Sequence, residues 1–171
     1  MGLPRKLKNL NLFNDGNSYL GESKTATLPP LARKMESYRG GGMNGPVKVD
    51  HGFSDDGLQF EWTLGGLDLT VLRQFGITTA DGVLLRFAGA YQRDDTGEVT
   101  AVEIVVRGRH EEINLGDAEP GEDTEVSIVT TCSYYKLIVN GVTEIEIDLL
   151  NMIETVGGVD RLAEQRRAIG L

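Results

Sequence analysis

The chain has 171 residues, with 17 Lys or Arg against 26 Asp or Glu and a formal net charge of −9, which disfavours a protein that grips nucleic acid through phosphate-neutralising cations. A single cysteine, Cys132, excludes a disulfide framework and a cysteine-based zinc site. No apolar run reaches the length of a membrane span, and the length suits one domain, residues 1–171, made in a reducing cytoplasm.

Residues 1–17 are rich in asparagine and short on periodicity, and they predict an extended N-terminal arm that needs a partner surface, with a turn at Asn14, Asp15 and Gly16. Arg5, Lys6 and Lys8 lie among asparagines that break up the apolar stretch a signal peptide requires. A strand is predicted over residues 19–28, after which Pro29 and Pro30 confine the chain to an edge or a crossing. Residues 27–52 interleave Arg33, Lys34 and Arg39 with Leu31, Met35 and Tyr38, then run through Gly40, Gly41 and Gly42 to Met43, Asn44, Gly45 and Pro46. Glycines reach backbone angles closed to other residues, so a bend or a close backbone approach belongs here. Periodicity alone leaves residues 33–39 open between helix and strand.

Leu58, Phe60 and Trp62 alternate with Gln59, Glu61 and Thr63, which places the three large apolar side chains on one face of a half-buried strand. Over residues 68–75 a helix is predicted, with Leu69, Leu72 and Phe75 at helical spacing, Asp68 as its cap and Gly76 as its stop.

Two long hairpins follow. Residues 83–93 and 98–109 flank the turn Asp94, Asp95, Thr96, Gly97, and residues 124–139 and 142–149 flank Asn140 and Gly141. A two-residue loop sets Val139 against Val142, Tyr134 against Ile147 and Tyr135 against Glu146. One face then carries Cys132, Tyr134, Ile138, Ile145, Ile147 and Leu149 and is expected to be core. The other mixes Tyr135, Leu137 and Val139 with Glu144, Glu146 and Asp148, and is apolar enough on one strand to suit contact with a neighbouring subunit. Strands of this length leave long edges, which assemblies use for pairing. Residues 158–169 predict a closing amphipathic helix, with Val159, Leu162, Ala163 and Arg166 in line and Gly170 as its stop.

Catalytic patterns are missing. His51 and His110 have no serine or cysteine motif near them, and Cys132 lies inside a predicted strand as a small apolar residue. The acidic loop over residues 117–125 lacks the ligand order of a calcium loop. Glu111 and Glu112 point to opposite faces of a strand, which defeats paired acid and base work. Residues 40–45 lack the lysine and serine or threonine of a phosphate loop. Arg107 and Arg109 sit among Glu103, Glu111 and Glu112 as a cross-strand charge pattern. No enzyme activity, cofactor or metal is expected.

The segment LPPLARKMESYRGGGMNG followed by VKVDHG resembles the major tail tube proteins of contractile-tail bacteriophages. So do FAGAYQRDDTGE at residues 87–98, RGRHEE at 107–112, and EIDLLNMIE, VGGVDRL and IGL from residue 146 to the end. The chain departs from that family at Gly157 and Gly158, where asparagine and glycine are expected. The likeness tips residues 33–39 toward strand. It implies a mainly β chain, an antiparallel β-sandwich or partial barrel with one packed helix and a C-terminal helix. Such chains form sixfold rings that stack into a hollow tube inside a contractile sheath, with baseplate and terminator proteins at its ends. That tube is a virion component that penetrates the bacterial envelope and conducts DNA.

Charge is unevenly placed: residues 1–52 hold eight Lys or Arg against four Asp or Glu, and the remainder holds nine against twenty-two. A basic N-terminal part of one subunit lying against the acidic body of the next is therefore expected, with Arg33, Lys34, Tyr38, Arg39, Gly42, Met43, Tyr135 and Leu137 as candidate interface residues. Carboxylates on the lumen wall would let DNA slide without adhesion; Glu98, Glu103, Glu125 and Glu144 are the candidates. The alternatives are the tube of a phage-like bacteriocin or secretion system, a monomeric β-sandwich binding module, which lacks exposed aromatics, and a β-rich hydrolase, which lacks converging acid and base residues.

Overall fold

Two inserted residues decide how the long hairpins present their faces in the computed structural model, which describes residues 1–171. The strands in chain order are β1 (Arg5–Asn14), β2 (Asn17–Ser18), β3 (Ser23–Thr27), β4 (Arg33–Tyr38), β5 (Val47–Phe53) and β6 (Gln59–Leu64). Helix α1 (Leu69–Arg73) precedes β7 (Val83–Arg93), β8 (Val99–Asn114), β9 (Val126–Val139), β10 (Val142–Asp148), β11 (Ile153–Val156), β12 (Val159–Asp160) and helix α2 (Ala163–Ala168). All pairings are antiparallel, in the order β12-β11-β10-β9-β8-β7-β1-β2. The first half of β9 also pairs with β6, which carries β3 on its far side, while β4 and β5 form a separate two-stranded hairpin.

Asn140 and Gly141 both adopt positive φ (49° and 80°), the combination a two-residue hairpin turn demands, and Val139 faces Val142 as expected. Beyond that pair the expected register slips by one. The ladder is irregular between Thr143 and Ile145, leaving Glu144 as the extra residue, so Ile147 faces Tyr135 and Asp148 faces Tyr134. A second bulge opposes Arg107 to Tyr134 but Gly108 to Cys132, which leaves Ser133 over. That extra residue breaks the period of two, so Cys132 and Tyr135, three apart, both point inward and are buried. The reading that placed Tyr134 on the core face and Tyr135 on the other is thereby corrected. Gly108 is required at this point, because a Cβ there would lie 2.0 Å from the carbonyl oxygen of Thr131.

The N-terminal arm is a strand. β1 pairs with β7 from Arg5 to Asn14, setting Leu10, Leu12 and Asn14 against Gly89, Phe87 and Leu85. A bulge between Leu7 and Asn9 breaks the alternation and hides the strand from a periodicity reading. The predicted turn is present, with positive φ at Asp15 and Gly16. Of the strand expected over residues 19–28 only Ser23–Thr27 forms, because Tyr19 turns into the core and its carbonyl accepts from the N–H groups of Glu22 and Ser23 at 2.9 Å.

The closing helix is shorter than expected. Gly157 and Gly158 take positive φ and form the turn between β11 and β12, and α2 has six residues, none buried. Its Arg166 is tied to Asp160 and donates to the carbonyl of Met152 at 2.8 Å. Helix α1 forms where predicted, capped by Asp68, whose carboxylate accepts from the Thr70 N–H.

Seventeen buried apolar residues make one core, led by Trp62, Phe60, Phe87 and Leu12 and drawn from β1, β6, β7, β8, β9, β10 and α1, with Tyr19 and Leu58 from the segments between strands. Leu58, Phe60 and Trp62 share its face as expected.

Candidate assembly surfaces

The hairpin of β4 and β5 has no core of its own and pairs with no other strand. Every residue of β4 is exposed, as are the first five of β5. Register sets Tyr38 opposite Val47 and Glu36 opposite Val49, which gathers Tyr38, Val47 and Val49 on one face. Tyr38 is 61% exposed and Val47 56%. Two strands in water are marginal, and an apolar stripe on them gains nothing from solvent.

Gly40 to Gly42 form the loop at its tip, with Gly42 at positive φ. There Arg39 Nε donates to the Met43 carbonyl at 3.2 Å, and the Met43 N–H donates to the Gly40 carbonyl at 3.3 Å. The bend expected at the glycines is thus a hairpin end.

The candidate interface residues separate into two groups. Lys34, Tyr38, Arg39, Gly42 and Met43 lie together on the hairpin. Tyr135 is 3% exposed inside the protomer's own core, and Leu137 is partly buried and packs against that core. Arg33 lies at the root of the hairpin, its guanidinium in an ion pair with the buried carboxylate of Glu154 on β11. Sequence reasoning missed Glu154 entirely, together with Val47 and Val49, whose alternation in VKVDH was the available signal.

The carboxylate candidates do not share one patch. Glu103 lies mid-sheet on the face turned away from the core and is paired with Arg86. Glu98 and Glu144 flank turns at one end of the sheet, where Asn140 and Ala101 exchange hydrogen bonds. Glu125 precedes β9 at the opposite end and shares Lys24 with Asp123. Around Glu103 the charges alternate, with Lys136 directly opposite Glu146 and Arg107 opposite Tyr134, itself paired with Asp148.

A polar cluster lies between α1 and the sheet. Trp62 Nε1–H donates to the Thr130 hydroxyl at 3.1 Å, and that hydroxyl lies 2.9 Å from His110 Nδ1. Gln74 is fixed by its amide donating to Asn14 Oδ1 and Asp15 Oδ2, each at 2.8 Å, so its oxygen accepts from His110 Nε2–H at 2.9 Å. These partners place a proton on Nε2, and in the neutral ring Nδ1 accepts from the Thr130 hydroxyl. Burial lowers its pKa to about 4. Tyr19 donates to Asp68 at 2.5 Å, and burial followed by that bond raises the Tyr19 pKa far above the usual phenol range. Every polar end in this cluster is spent on a neighbour, which makes it a fastening and leaves no group poised for chemistry. Cys132 is similar: burial pushes its thiol up to about 12, leaving it protonated and inert.

The structure is β-rich, its polar core groups are bonded to one another, and one apolar hairpin face is exposed to solvent. The chain belongs to the phage tail tube protein FII family, whose profile matches residues 4–170. It is 54% identical to the tail tube protein of Escherichia phage P2 over the full length of both chains. It is also 38% identical to the major tail tube protein of Serratia phage KSP20, over 90% of this chain and 88% of that one. Its fold resembles a chain in the sixfold-symmetrised cryo-EM structure of the anti-feeding prophage baseplate, with a TM-score of 0.52, 8% identity, and 75% of this chain and 90% of that chain covered. The protein is a structural component of a phage tail tube. No helix is long and apolar enough to cross a membrane.

Proposed function

We propose that this chain forms sixfold rings that stack into the inner tube of a contractile tail, surrounded by a sheath protein and ended by baseplate and terminator proteins. The observation that carries the reading is the exposed hairpin of β4 and β5, with Tyr38, Val47 and Val49 bare on one face beside Glu36, and with Lys34, Arg39 and Lys48 elsewhere on the hairpin. Its partner is the acidic body of another copy, since residues 53–171 hold twenty-two Asp or Glu against nine Lys or Arg. Lys34, Tyr38, Arg39, Gly42 and Met43 are the interface residues in this account. The chain is made in the bacterial cytoplasm and acts in the virion.

The tube's work is mechanical: it is driven through the bacterial envelope and then conducts DNA, with no catalysis. The face of β7, β8, β9 and β10 turned from the core lines the lumen in this reading. Opposed charges along it, such as Arg86 with Glu103, limit adhesion to passing phosphates, and Glu98, Glu125 and Glu144 add an acidic bias toward the ends of the strands. Negative-stain microscopy of the purified protein tests the assembly: rings or tubes of uniform diameter support it, and a strict monomer at high concentration refutes it.

A further inference from the structure

Glu154 is the one carboxylate inside the protein, 5% exposed on the strand β11, where it faces Ile147 on the core side of the sheet. A carboxylate removed from water needs a cation beside it. Its partner is Arg33, at the root of the hairpin, and no other cation pairs with it. Arg33 is held from two further sides: its Nε lies 3.3 Å from Asp50 Oδ2 across the hairpin, and its guanidinium carbon sits 4.9 Å from the centre of the Phe53 ring. A main-chain bond from Ser54 N–H to the Ala32 carbonyl, 3.1 Å, closes the hairpin's base, yet neither β4 nor β5 joins the main sheet. Beside this root a cleft of about 480 Å³ separates Asp50, His51 and Phe53 from Met152, Leu162 and Gln165. A hairpin on a narrow base beside an open cleft can swing, unless something fixes its angle.

We propose that Arg33 and Glu154 are positioning residues for assembly: an ion pair within one chain that sets the angle at which the hairpin is presented to the next subunit. Any tilt that withdraws Arg33 takes from Glu154, which itself lines the cleft, the one cation paired with it, so the pair favours one pose over the rest. Arg33 thereby acts on the neighbour only through the hairpin it orients. The inference rests on the tube-forming reading above.

The test uses the full-length chain with Arg33→Gln, Glu154→Gln and the exchanged pair Arg33→Glu with Glu154→Arg, the last made in an Asp50→Asn background so that the exchange sets no carboxylate against Asp50. Tube yield is counted by electron microscopy, and folding is checked by circular dichroism. Each single substitution is expected to cut tube yield by about tenfold, and the exchange to restore most of it, because the pairing is intramolecular. Spin labels on Gly41→Cys and Thr96→Cys in a Cys132→Ser background, diluted into unlabelled protein, report the hairpin's angle. One narrow distance is expected in the parent and in the exchanged pair, and a broad distribution in Arg33→Gln. If Arg33→Gln keeps the narrow distance, or if the exchanged pair folds yet neither regains that distance nor forms tubes, the proposal is overturned. Failure of the parent itself to form tubes would instead count against the functional reading.

Discussion

His110 Nε2 lies 2.9 Å from Gln74 Oε1, and this contact ties the C-terminal part of β8 to the C-cap of α1. The other end of the helix is held by the Tyr19 hydroxyl on its N-cap, Asp68. A five-residue helix has almost no stability of its own, so these two fastenings and the buried Val71 are what keep it on the sheet.

Acid should loosen that fastening. The folded state holds His110 near a pKa of about 4, whereas the unfolded chain has the ordinary value near 6.5. The unfolded chain therefore binds a proton first, and stability contributed by neutral His110 is full above pH 6.5 and is lost as pH falls toward 4. One proton accounts for a slope of at most about 1.4 kcal/mol per pH unit. Urea unfolding between pH 7 and pH 4 should show this slope in the parent chain and a flatter profile in His110→Gln. Equal slopes in the two would contradict it.

Gly108 should tolerate no side chain. Ala at this position drives a Cβ into the Thr131 carbonyl oxygen, and the strain is backbone against backbone with no flexible side chain to yield. Gly108→Ala is expected to cost on the order of 3 kcal/mol in urea unfolding, or to abolish the Ser133 bulge with loss of soluble protein.

The indole N–H of Trp62 feeds the Thr130 hydroxyl, which in turn supports His110. Trp62→Phe keeps most of the ring but leaves that hydroxyl without its donor and opens a small cavity. A loss of about 2 kcal/mol is expected. Thr130→Val, which removes the acceptor, should cost a similar amount, and the two together less than their sum, because both cut one chain of bonds.

The hairpin face should matter to assembly and hardly at all to folding. Val47→Asp and Tyr38→Asp place charge on side chains that touch little within the protomer, so each should shift stability by no more than about 0.5 kcal/mol. Sedimentation velocity of the same proteins should show the parent as rings and tubes and the variants as small species. Variants that sediment like the parent would remove the hairpin from the interface.

Much of this molecule was legible in its sequence where a period held. The alternation of Leu58, Phe60 and Trp62 gave the β6 face, Asp68 and Gly76 bracketed α1, and Asn140 with Gly141 marked its hairpin and first pair. The misreadings fall where one residue is inserted. Ser133, Glu144 and the bulge between Leu7 and Asn9 each shift a face by one position, and no local residue type announces such a shift. Tyr135 entered the interface set for that reason alone. Gly157 and Gly158 make a turn, with positive φ at both, but the helix expected to start at Gly158 is delayed by the short strand β12. Arg33 joined the basic group by proximity in sequence, while its partner Glu154 lies 121 positions away, where only the fold brings it. Deleting residues 2–12, which would be a clean assembly test for a free arm, instead strips β1 from β7 and is expected to unfold the chain.

The central claim is that the β4–β5 hairpin of one copy is covered by another copy of the same chain. Cryo-EM of tubes grown from the purified protein addresses it directly. The account predicts Tyr38, Val47 and Val49 buried against a neighbouring subunit; tubes in which these three side chains face solvent would contradict it.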